Sequence, residues 1–365
     1  MKRSSVLTAV ALFLFSILLV GEPVTAVDYT TPIPLPELCG DTYFGQSGCL
    51  YPTGNEPPAS YQAELDAIAS QLSADSQVVV LTLGMSMQQN ATNGFMSAGY
   101  ASGTTPAGTV VNPAFMLLNG AIGSKQQNWV DPNSSVWDRG LQMLSQAGLS
   151  ANDVDVVFYH NAWAGPSTEP FPQHAITMQN SVGVTLDIIA DKYPNTQMIL
   201  VSNRHYALSA TSKHPEPWAY EEAFSWKWVV EDRINCTADC GPPVAWLADQ
   251  WDQSWSDHPE YYASDGLHLS PGPGGGQYAS AEIWYEWMST ISYVAPWYLA
   301  EPAPTATASL TPTVVGGTAT PTPFPTDTAT PVPTDDPTLT PTPTTEIPRW
   351  CRENPDWPGC EVYYP

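Results

Sequence analysis

The stretch Gln77-Val78-Val79-Val80-Leu81-Thr82-Leu83-Gly84-Met85-Ser86-Met87 decides the fold. Its first seven residues are β-branched or apolar with little interruption, the composition of a parallel strand buried on both faces. Gly84 ends the run and leaves Ser86 in a turn before the next helix. Upstream, Leu65, Ile68, Ala69 and Leu72 recur at helical spacing within residues 61–72. Downstream, strand-like runs at 114–118, 154–159 and 197–202 alternate with helical patterns at 136–146, 174–192, 217–233 and 278–291. Buried strands alternating with amphipathic helices predict an α/β fold, a central parallel sheet covered on both faces. Ligands of such sheets sit beyond the carboxyl ends of the strands, where Ser86 falls.

The two ends read differently. Residues 1–26 combine Lys2 and Arg3, an apolar run and the small-residue pattern Val24-Thr25-Ala26, which together read as a secretory signal peptide. The apolar run is shorter than the roughly 20 residues that span a bilayer. Residues 27–60 are rich in Pro, Gly and polar side chains and read as an N-terminal arm, with the core beginning at 61 and ending near 300. Residues 301–348 are mostly Thr and Pro, a disordered linker or stalk that favours extended chain. Residues 349–365 form a short tail with its own Cys pair, too small to fold strongly alone.

A formal charge of −25 with only 11 Lys and Arg argues against nucleic acid as a partner, because that affinity comes from basic groups on phosphates. The six cysteines fall into close pairs: Cys39 with Cys49, Cys236 with Cys240, and Cys351 with Cys360. In an oxidising compartment these are disulfide candidates. Their spacing lacks the paired knuckles of a zinc site, so no metal is expected. The protein is expected to be secreted or extracellular, with cell-surface attachment through the stalk left open.

Ser86 alone is weak evidence for chemistry, since serine is also a common helix N-cap. The stretch Ser264-Asp265-Gly266-Leu267-His268-Leu269-Ser270-Pro271-Gly272 is more specific. A serine hydroxyl needs a base to take its proton, and an imidazole needs a carboxylate to fix its tautomer and stabilise its charged form. Asp265, three residues before His268, can supply that carboxylate on one loop.

Together these residues resemble the SGNH (GDSL-like) hydrolase family, named for a Ser, Gly, Asn and His in separate blocks, over roughly residues 76–292. The resemblance implies a flavodoxin-like three-layer sandwich of SGNH hydrolase type. Ser86 matches the nucleophile, Asp265 and His268 the last block, and Asn161 in Tyr159-His160-Asn161-Ala162 the side-chain oxyanion donor. Gly123 in Asn119-Gly120-Ala121-Ile122-Gly123-Ser124 matches the oxyanion glycine, with Gly120 the alternative. The oxyanion hole is then Ser86 N–H, Gly123 N–H and the Asn161 amide, and no cofactor is implied. Two departures mark a divergent branch. Met85 stands where the family has Asp in Gly-Asp-Ser, and no Asp follows Asn161.

Arg204 and His205 follow a strand and are candidate substrate contacts, although structurally bonded side chains fit that pattern as well. A metal site from His160, His205 and His268 lacks carboxylate-rich ligand spacing. The many Trp residues suit sugar stacking if exposed, and core packing where they sit at helical spacing, as Trp226 does. The expected function is therefore a secreted serine esterase hydrolysing carboxylic esters, with acetyl esters of a polysaccharide among the candidate substrates. The competing readings are an SGNH-like binding module that has lost turnover, and a lipase or thioesterase of the same fold.

Overall fold

Five strands, β1 Val78–Gly84, β2 Phe115–Asn119, β3 Val156–His160, β4 Met198–Ser202 and β5 Val244–Ala248, pair in parallel in the order β2-β1-β3-β4-β5. This is the flavodoxin-like order 2-1-3-4-5. The computed structural model describes residues 27–163, 169–208, 215–238 and 240–300. Residues 1–26, expected as a signal segment, the Thr/Pro-rich stretch and the tail with Cys351 and Cys360 lie outside the described residues.

Side chains alternate across the sheet with the period of two that a pleated strand imposes. Val79, Leu81 and Leu83 of β1, Val157 and Tyr159 of β3, and Ile199 and Val201 of β4 enter one core. Helices α3 Asp138–Gln146, α4 Gln173–Lys192 and α5 Trp218–Asn235 contribute to that core. Val78 and Val80, Val156 and Phe158, and Met198 and Leu200 enter the other. It is built with helices α1 Ala59–Ala74, α2 Ser86–Ser97, α6 Gly276–Thr290 and α7 Ala295–Tyr298. The result is a three-layer α/β sandwich.

The arm departs from its expected place outside the core. Leu35, Leu38, Tyr43, Leu50 and Tyr51 are fully buried in the first core, and Cys39–Cys49 closes the loop that carries Tyr43. Three two-residue strands organise it: Asp28–Tyr29 pairs with Thr42–Tyr43, which turns through Phe44-Gly45 into Gln46–Ser47. Cys236 and Cys240 form the second described disulfide.

The arm, with Tyr61 of α1 and Tyr293 after α6, also solves a problem at β5. An edge strand exposes backbone N–H and C=O groups that invite further pairing. Here tyrosine hydroxyls occupy them. Tyr61 Oη accepts from Val244 N–H at 2.7 Å and lies 3.0 Å from the Val244 carbonyl. Tyr51 Oη accepts from Trp246 N–H at 3.1 Å, and Tyr293 Oη donates to the Trp246 carbonyl at 2.7 Å. The Trp246 indole N–H reaches the Leu50 carbonyl at 2.8 Å.

Helices α2 and α6 approach closely at Gly94, where a Cβ would lie 2.0 Å from the Gln277 carbonyl oxygen. Gly94→Ala is therefore expected to lower unfolding free energy by about 1–3 kcal/mol, read as a lower urea midpoint. An unchanged midpoint would refute the close-packing account of this glycine.

Candidate active site

The site begins at Gly84, the last residue of β1. Its φ of 125° is costly for any side chain, and a Cβ there would lie 1.8 Å from the His160 carbonyl oxygen. Two backbone hydrogen bonds exploit that close approach. Gly84 C=O accepts from Ile122 N–H at 2.9 Å, and Met85 N–H donates to His160 C=O at 3.2 Å. Ile122 precedes Gly123, His160 precedes Asn161, and Met85 precedes Ser86. Three separate strand ends are thus pinned together, one residue short of each candidate site residue.

Ser86 opens α2, so its N–H is one of the first-turn donors that no carbonyl of the helix satisfies. Gly123 lies beside it: a Cβ on Gly123 would be 3.9 Å from Ser86 Cβ. Gly120 instead packs against Gly140 and Leu81, where a Cβ would come within 2.9 Å of each. The geometry therefore favours Gly123 over its alternative as the glycine facing the serine.

Asn161 is fully buried, and its amide is oriented by neighbours. Oδ1 accepts from Ala162 N–H at 2.9 Å, and Nδ2 donates to Tyr159 Oη at 3.3 Å. Tyr159 in turn donates to Gln126 Oε1 at 2.6 Å, and Gln126 Nε2 donates to Thr185 Oγ1 at 2.9 Å. Sequence reasoning missed Tyr159 and Gln126, because neither carries a motif; their role depends on contacts made across the fold.

Downstream by 182 residues, His268 Nε2 meets Ser86 Oγ at 2.7 Å. Its Nδ1 meets Asp265 Oδ2 at 2.5 Å. Asp265 Oδ1 also accepts from the N–H groups of Leu267 at 3.0 Å and His268 at 2.9 Å, so one carboxylate shapes the loop and orients the ring. Partial burial pushes the Asp265 carboxyl up, but the His268 ring and these two N–H donors outweigh it and hold it below its usual value. Asp265 therefore stays ionised at neutral pH beside the imidazole. Ser86 and His268 are half-buried, accessible from the carboxyl edge of the sheet.

The base loop is held from both sides. Asn90 of α2 accepts from Leu269 N–H at 3.3 Å, and His205 Nε2 donates to the Leu267 carbonyl at 3.1 Å. This corrects the expectation for Arg204 and His205 as substrate contacts: they are only 1% and 2% exposed. Burial, reinforced by Arg204, pushes His205 down to about 3, leaving a neutral ring that stacks on Trp255 at 5.4 Å between centroids. Arg204 lies 3.9 Å from Glu222, whose other oxygen accepts from Trp163 N–H at 3.0 Å. Both residues face inward because β4 and the segment after it are covered on each side.

Met85 packs with Met87, Ala162 and Leu267 in a small buried cluster. These residues flank Ser86, Asn161 and His268, so the methionine fills the junction between the three blocks with apolar contact. Among the described residues, no group of three or more His, Cys, Asp or Glu could hold a metal ion. His160 is buried and pushed down to about 3, chiefly by desolvation and then by Arg204.

Comparison with known proteins matches the chain to no family model and no curated sequence. The account of the site therefore stands on its geometry.

Two buried carboxyls nearby carry a pH consequence. Burial raises Glu222 to about 7 against the pull of Arg204, and raises Asp249 to about 7 against its hydrogen bonds from Asn203 and Trp251. In the unfolded chain both return to about 4. Between those values the folded protein binds protons that the unfolded chain does not, so these two carboxyls add stability as pH falls from 8 towards 5. His160 and His205, each pushed down to about 3, act in the opposite sense once pH falls below the ordinary histidine value of about 6.5, and the depressed Asp265 only below the ordinary carboxylate range. Thermal unfolding should give a higher midpoint at pH 6.5 than at pH 8, with a shallower slope in Glu222→Gln. A wild-type midpoint that rises with pH over this interval would contradict these assignments.

Proposed function

We propose that the protein is an exported serine esterase, a divergent member of the SGNH type, that transfers the acyl group of a carboxylic ester through Ser86 to water. The observation that carries this reading is the continuous hydrogen-bonded chain Asp265–His268–Ser86, assembled from two distant segments at the carboxyl edge of the sheet. An Asp–His pair on a surface loop has no structural need of a serine at 2.7 Å from its free ring nitrogen. Nucleophile, base and orienting carboxylate need that order.

In the first step His268 Nε2 takes the Ser86 proton as Oγ bonds to the ester carbonyl carbon. The carbonyl oxygen gains the negative charge, with Ser86 N–H, Gly123 N–H and the remaining Asn161 Nδ2 hydrogen as its donors. Collapse breaks the carbon–oxygen bond to the alcohol, which leaves with the proton held by His268. Water then adds to the acyl-enzyme, giving its proton to the same nitrogen, and the carboxylic acid is released as Ser86 recovers its hydrogen. Asp265 holds the ring tautomer throughout and stabilises the imidazolium.

Export is supported by the N-terminal segment and by the two close Cys pairs, which form disulfides in the described residues. No helix among those residues is long and apolar enough to cross a membrane. The Thr/Pro-rich stretch fits a stalk that sets the domain away from a surface.

Hydrolysis of p-nitrophenyl acetate by the mature protein tests the reading. Ser86→Ala and His268→Ala should each lower kcat by at least about a thousandfold, and Asp265→Asn by roughly 10³–10⁴. Activity that survives Ser86→Ala, or none in the folded wild type, sinks the proposal.

A further inference from the structure

A second concavity opens where the arm meets the carboxyl edge of the sheet on the β4–β5 side. It encloses about 430 Å³, within the roughly 300–1,000 Å³ of small-molecule sites, and Ser86, Asp265 and His268 do not line it. Its walls are aromatic: Phe44 from the arm and Tyr206 after β4 present accessible surface, backed by the buried Tyr43 and by Trp251 after β5. Its polar lining includes Glu216 and Glu221 at the start of α5, with Gln253 at the rim.

Phe44 is the telling residue. It occupies the first loop position of a two-residue hairpin with φ 45°, followed by Gly45 at φ 75°. Such turns take Asn, Asp or Gly, and a bulky aromatic there is strained. The residue is nonetheless 49% exposed, with its ring against Tyr43 and Phe171 on one side only, so burial repays only part of the strain. Strain held at an exposed position points to a ligand contact.

The carboxylates indicate what kind of ligand. Glu216 already accepts from Ala207 N–H, Tyr220 N–H and the Trp251 indole, at 2.8, 3.2 and 3.1 Å. Glu221 accepts from Tyr43 Oη at 3.1 Å and meets His174 Nε2 at 2.6 Å. A carboxylate has about four acceptor sites, so each keeps unused capacity for hydroxyl donors. Burial raises the Glu216 carboxyl above its ordinary value against its N–H donors and Arg204, and His174 lies against Glu221, so the lining is not an isolated double negative charge. Aromatic faces with spare acceptors and an exposed amide suit a neutral ring that is apolar on its faces and hydroxylated at its edge.

We propose that this cavity binds a pyranose unit of a neutral saccharide. The wall is coupled to the base loop: Tyr262 Oη donates to the Tyr206 carbonyl at 2.8 Å, and Tyr262 pairs with Leu269, next to His268. The saccharide is then the alcohol side of the ester, an assignment of role that rests on the esterase reading, whereas the binding itself does not.

Titration of the full-length Ser86→Ala protein with cellohexaose, xylohexaose and chitohexaose, followed by calorimetry, separates the two. At least one should bind with Kd of about 1 mM or tighter. Phe44→Gly, which removes the ring while suiting the turn, and Gln253→Ala at the exposed rim should each weaken it about fivefold or more, with thermal midpoints showing both variants folded. Absence of binding by all three saccharides overturns the proposal. So does binding indifferent to both substitutions, or a preference for choline, which would make the cavity a cation site. Wild-type turnover of p-nitrophenyl acetate reports on Ser86 independently, so the failure of one reading is not mistaken for failure of the other.

Discussion

The close approach of β1 to β3 at Gly84 is the constraint on which the site depends. A side chain at that position would overlap the His160 carbonyl oxygen, and the two backbone bonds flanking Gly84 would part. Those bonds hold together the segments that carry Gly123, Asn161 and Ser86 without help from any of their side chains. On the esterase reading proposed above, such preorganisation matters because donors held in place before reaction need no rearrangement as charge develops. Met85 belongs to the same arrangement. Where a carboxylate would need hydrogen-bonding partners, the thioether side chain fills an irregular apolar junction with Met87, Ala162 and Leu267.

A second layer of polar contacts holds the opposite side. The base loop hangs between Asn90 of α2 and His205 after β4, and the residues around His205 are anchored by buried charge. Asn203 donates to Asp249 and accepts from Gln250 N–H, while Glu216 gathers three N–H donors from separate segments. Such a network carries large desolvation costs and is tolerated where its members have partners. Its effect is to fix where the segment after β4 runs, and hence where His268 meets Ser86.

Much of this was legible in the sequence, and the misses have physical causes. Strands β1 to β4 announce themselves as apolar runs, and the helices between them by period. The strand β5 is not read from Val244-Ala-Trp-Leu-Ala because it follows Gly-Pro-Pro, which signals a loop. The arm looked peripheral because its buried residues are scattered among turns, and their burial depends on the tyrosine contacts with β5. Arg204 and His205 looked like edge residues because they follow a strand; only the packing of α5 and the base loop shows that they are covered. Ser86, Asp265 and His268 could be read because their chemistry demands particular residue types, whereas Tyr159 and Gln126 act through geometry alone.

The central claim is that Ser86 is the nucleophile activated by His268. The most direct measurement is labelling of the full-length protein with a fluorophosphonate, followed by mass-spectrometric mapping of the modified residue. The account predicts a single adduct on Ser86 that disappears in His268→Ala. An adduct on another residue, or none on the folded wild-type protein, would contradict it.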